Sequence, residues 1–147
     1  MGKYFALLLL LLAVTSGGGA LKCFTCHNVL SPFPDCENSR NWGIDHDGCS
    51  SENGLVALCA QVNGILSADY HHVHSGMKDV ELDCMFFDQG NVPENKCYHG
   101  EDALTLIKDN TPWSMFPASI DVKSVTFHFE GSVCLCDTDL CNGDLPK

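Results

Sequence analysis

The 147-residue chain carries nineteen acidic residues against eight Lys and Arg, a formal charge of −11 at pH 7. That balance argues against nucleic acid and anionic lipid heads as partners. The acids are spread along the chain, so their plain role is to keep the surface of one domain solvated.

Residues 1–20 read MGKYFALLLLLLAVTSGGGA: Lys3, an apolar run from Phe5 to Val14, then small residues. This is the order of a secretory signal peptide. The run is half the length needed to span a bilayer, roughly 20 apolar residues. Gly18 and Ala20 place cleavage after Ala20, with Ser16 as an alternative. Residues 21–147 then form a single domain with a formal charge of 7 − 19 = −12, since only Lys3 is removed.

All ten cysteines follow the leader, at 23, 26, 36, 49, 59, 84, 97, 134, 136 and 141. An even count on an oxidising route makes five disulfides the expected state, and spacing leaves 945 pairings open, 105 × 9. Cys23-Phe-Thr-Cys26 is a CxxC, the spacing of a redox pair or half a zinc site. No βαβ pattern follows it, and the C-terminal group is CxC with a further Cys, so structural bridges are the preferred reading. Crosslinks, more than apolar packing, are expected to hold so polar a chain folded.

Further along, Gly54–Val62 is apolar and strand-compatible, and Val80–Phe86 alternates. In the latter, Val80, Leu82, Cys84 and Phe86 are expected on one face, with Glu81, Asp83 and Met85 on the other. Asn63-Gly64 and His74-Ser75-Gly76 between these strands are good turn material. Glu101–Lys108 has acids at its start and a Lys at its end, which predicts a short helix. Val125–Phe129 alternates again as a strand.

Leu21-Lys-Cys23-Phe-Thr-Cys26 at the mature start, with Cys136-Asp-Thr-Asp-Leu-Cys141-Asn142 near the end, resembles the Ly6/uPAR family. The resemblance covers the whole mature chain and a ten-cysteine order. It implies a small, disulfide-rich all-β fold, the three-finger domain, in which β-hairpins radiate from a knotted hub. The fingers are long here, and the short helix falls in finger three. The implied pairs are Cys23–Cys59, Cys26–Cys36, Cys49–Cys84, Cys97–Cys134 and Cys136–Cys141. Asn142 is implied to hydrogen-bond within the hub. Where the family has adjacent cysteines, this chain has Cys134-Leu135-Cys136, which suggests a bulge. Many relatives end in an apolar tail that is exchanged for a glycolipid anchor. Asn142-Gly-Asp-Leu-Pro-Lys147 is not such a tail, so a secreted, extracellular, soluble protein without an anchor is expected.

Five disulfides leave no thiolate for a Cys-His nucleophile, and no nucleophile elbow is present. The paired carboxylates Glu101-Asp102 and Glu81/Asp83 read as solvated faces. No enzymatic role and no cofactor are expected. The resemblance instead implies binding to, and modulation of, an extracellular or cell-surface protein of the receptor or ion-channel class. Trp113, Met115 and Phe116, between Pro112 and Pro117, are the candidate contact, being aromatic and apolar anchors on a restricted loop. Folding back over the hub is the competing role for Trp113 and Phe116, and the preferred one for Trp42. A second reading is metal binding through His71, His72 and His74 near the finger-two tip, where solvated histidines are the plainer reading. A third is a structural role in the extracellular matrix.

Overall fold

A computed structural model of the protein describes residues 20–27, 36, 42–45, 48–110 and 122–144. They form a disulfide-rich antiparallel sheet with one α-helix. The strands are β1 (Cys23–His27), β2 (Gly43–Asp45), β3 (Leu55–Tyr70), β4 (Val73–Asp88), β5 (Cys97–His99) and β6 (Thr126–Cys136), in the order β2-β1-β4-β3-β6-β5. The helix α1 (Gly100–Asn110) follows β5 directly. Its first turn carries Glu101 and Asp102 and its last Lys108, each at the end the helix dipole favours.

The central hairpin is longer than the alternation alone suggests. Asn63-Gly64 and His74-Ser75-Gly76 lie inside β3 and β4, and the chain turns at His71-His72. Both histidines have positive φ, 44° and 69°, as a two-residue hairpin turn of the twist-compatible kind requires. Gly64 is needed for a close approach rather than a turn. It faces Gly131 across β3 and β6, and a Cβ on Gly64 would stand 2.6 Å from the Glu130 carbonyl oxygen and 2.7 Å from the Phe129 ring. A Cβ on Gly131 would stand 2.5 Å from the Gly64 Cα. Gly131→Ala should therefore cost about 1–3 kcal/mol in urea unfolding. Gly90→Ala, with open space around it, should be close to neutral.

Every residue from Ala57 to Val62 is buried, because β3 is covered on both faces. On one side Leu58, Ala60 and Val62 pack with Met85, Phe87, Val133 and Leu135 beneath Ala103, Leu104 and Ile107 of α1. Phe127 and Phe129 extend this core along β6. Asn110 anchors the helix end by accepting the Phe86 N–H at 2.7 Å. Apolar packing thus contributes a substantial core, more than the polar sequence predicts. The two faces expected for β4 are kept: Val80, Leu82 and Cys84 turn to the sulfur side, and Asp83 and Met85 turn to the helix side. Met85 is buried under α1, whereas Phe86 is 37% exposed, because the helix supplies a second apolar layer that alternation within β4 does not reveal.

On the other side the core is largely sulfur: Cys23, Cys49 and Cys59, with Cys84, Cys136, Cys141 and Ala57. The five bridges are Cys23–Cys59, Cys26–Cys36, Cys49–Cys84, Cys97–Cys134 and Cys136–Cys141. These are the pairs that the family resemblance implies. No bulge forms at Cys134-Leu135-Cys136, since β6 keeps regular register with β3 through all three residues. The extra residue instead buries Leu135 in the helix-side core and leaves both cysteines on the sulfur side.

Candidate functional site

Among the described residues, three places bring chemistry-bearing side chains together: the hub, the far end of the hairpin, and the seam between β1 and β4. In the hub, Asn142 is fully buried. Its Oδ1 accepts the Phe24 N–H at 3.0 Å, and its Nδ2 donates to the carbonyls of Phe24 at 2.9 Å and Ala60 at 3.0 Å. One amide thereby joins the C-terminal segment to β1 and β3. Asp139 adds to this by accepting the Lys22 N–H at 3.0 Å. Trp42 packs edge-on against Phe24 and donates Nε1–H to the Cys36 carbonyl, so it covers the hub. Gly143 lies directly beneath this pair, where a Cβ would stand 2.7 Å from the Phe24 ring.

At the far end of the hairpin, His71 and His72 occupy the turn and His74 is the second residue of the return strand. His74 Nδ1 lies 2.7 Å from Asp69 Oδ1, and His128 Nε2 on β6 lies 3.5 Å from Asp69 Oδ2. The structure does not gather His71, His72 and His74 into one metal-compatible group; His74 engages the strand-borne Asp69 instead. His128 was not legible as a member of this set, since its approach to Asp69 depends on the β3–β6 register. Trp113, Met115 and Phe116 lie outside the described residues.

The seam holds the most charged arrangement. His27 pairs in register with Glu81, and Asp83 lies two residues further along the same face of β4. His27 Nδ1 is 3.2 Å from Glu81 Oε1, and Nε2 is 3.4 Å from Asp83 Oδ2. Glu81 and Asp83 are therefore not a simple solvated face, as alternation suggests. Their sequence signal is two acids at i, i+2 on a strand, but the histidine between them comes from residues 54 positions away. Burial of the ring disfavours its charged form. Hydrogen bonds to Asp83 and Glu81, and the charges of both, outweigh that and raise its pKa from 6.5 to about 10.

Because this folded pKa lies above the unfolded one, the ion pairs stabilise fully below about pH 6.5. Their contribution is lost as pH rises through the folded value near 10. In chelator, the unfolding free energy should fall by on the order of 2 kcal/mol between pH 7 and 10, discounted for two partly exposed carboxylates. Urea titrations at several pH values, with His27→Gln as the flattened reference, check this.

A shallow cleft of about 640 Å³ lies beside the hub, lined by Leu21, Ser51, Val92, Glu94, Asp137 and Asp139 among others. Ser51 Oγ there accepts the Ala57 N–H, and the described cysteines are all in disulfides. The lining holds no histidine to serve as a base. No protein-family model, curated protein or solved structure matches this chain.

Proposed function

We propose that this is a secreted, non-enzymatic protein of the three-finger, Ly6/uPAR-like kind, which binds and modulates an extracellular or cell-surface protein of the receptor or ion-channel class. Five disulfides in so short a chain fit an oxidising, extracellular compartment. Among the described residues, no helix is long and apolar enough to cross a membrane.

The observation that carries the reading is the distribution of the bridges. They gather at the base of the central hairpin, and Tyr70 lies eleven residues beyond Cys59, a reach of about 36 Å. That outer part presents Ile65, 50% exposed, and Val73, 64% exposed, beside the turn histidines. Apolar side chains held outward on a braced ribbon suit protein recognition, because little ordering entropy remains to be lost on binding.

The test is binding of the oxidised protein to an array of displayed receptor and channel ectodomains. The expected result is a partner whose binding falls at least tenfold with Ile65→Asp/Val73→Asp or with Trp113→Ala/Phe116→Ala. A partner bound equally well by all forms would remove both surfaces, and no partner at all would remove the reading.

A further inference from the structure

We propose that His27, Glu81 and Asp83 form a binding site for a divalent transition-metal ion of the zinc class. One donor atom from each residue lies within 4.8 Å of the other two. A tetrahedral zinc ion with bonds near 2.0–2.2 Å holds its donor atoms roughly 3.4 Å apart. The donor atoms must therefore draw together by up to about 1.4 Å, and because Glu81 faces Nδ1 and Asp83 faces Nε2, one carboxylate swings to the ring nitrogen that holds the ion.

The backbone is already held in place. His27 follows Cys26, bridged to Cys36, and Asp83 precedes Cys84, bridged to Cys49. The Cys26–Leu82 and His27–Glu81 pairing sets β1 against β4, and the pleat then projects His27, Glu81 and Asp83 from one face. Asp83 is also oriented: Oδ1 accepts the Cys84 N–H at 2.8 Å, which leaves Oδ2 turned to the imidazole. Outer hydrogen bonds of this kind fix metal ligands in position.

The donor types select the ion. One imidazole and two carboxylates suit zinc, whereas calcium and magnesium favour sites made of oxygen alone. The side chains are 11%, 31% and 34% exposed, so an ion can enter and a water can complete its coordination. On binding, zinc takes the place of the proton on one ring nitrogen and that proton passes to solvent. Two carboxylates then face a double positive charge instead of a single one. This site is separate from the exposed histidines of the hairpin turn.

Calorimetric titration of the oxidised, full-length protein with zinc chloride at neutral pH is the test, combined with NMR of the histidine ring nitrogens. One zinc per chain should bind, and the His27 ring signals should shift. Affinity should fall at least tenfold in His27→Gln and in Asp83→Asn, and remain in His74→Gln. The wild-type ring signals keep the test decisive if a seam variant folds poorly. No binding at about 1 mM zinc, unmoved His27 signals, or a site lost in His74→Gln and kept in His27→Gln would each overturn the assignment.

Discussion

Replacing Cys23 and Cys59 together by alanine is expected to lower the unfolding free energy by about 4 kcal/mol and to leave little folded protein at 37 °C. The bridge closes a separation of 36 residues, and loop-closure entropy grows with that length. Both sulfurs are fully buried, so the pair also leaves a cavity among the other cystines. β1 would lose its covalent tie to β3, and its pairing with β2 and β4 is short. Urea unfolding with purified double variant and wild type gives the comparison. Removing Cys136 and Cys141 should cost about half as much, because those residues stand only five apart.

Asn142→Ala should cost about 3 kcal/mol, an effect close to that of a bridge from a single amide. Truncation leaves the Phe24 N–H without its acceptor and the Phe24 and Ala60 carbonyls without their donor, at a fully buried position. Asn142→Asp is expected to be worse, since a carboxylate has no N–H for those two carbonyls and would carry charge into the hub. Thermal melts of the oxidised proteins at neutral pH would rank the variants. A melt for Asn142→Asp within a degree of wild type would show that the amide does not hold the C-terminal segment to β1.

The hub and α1 were legible in the chain because their signals are local. That the cysteines are bridged follows from their even number behind an expected signal peptide, although the pairing rests on a family resemblance and not on spacing. Acids at Glu101 and Asp102 and a Lys at 108 mark a helix whatever surrounds it. The hairpin turn was hidden because glycine serves two purposes. Asn63-Gly64 and Ser75-Gly76 look like turns, yet Gly64 is required by the close approach of β6, while two histidines adopt positive φ. The alternation of β4 was legible, but the burial of Met85 and the exposure of Phe86 were not. Which side of β4 is apolar depends on α1, and nothing in β4 announces that a helix will cover it. The seam cluster depended on the β1–β4 register, a contact between distant segments. His27 beside the CxxC was in plain view, but its two acids had no visible partner until the strands were paired.

Where the sulfur atoms are joined sets the hub, the outstretched hairpin and the fixed seam together. Peptide mapping of unreduced, native protein by mass spectrometry tests this most directly. The predicted result is ten hydrogens fewer than the fully reduced chain, with linked peptides joining 23 to 59, 26 to 36, 49 to 84, 97 to 134 and 136 to 141. A free thiol, or a linked peptide joining any other two of these cysteines, would contradict it.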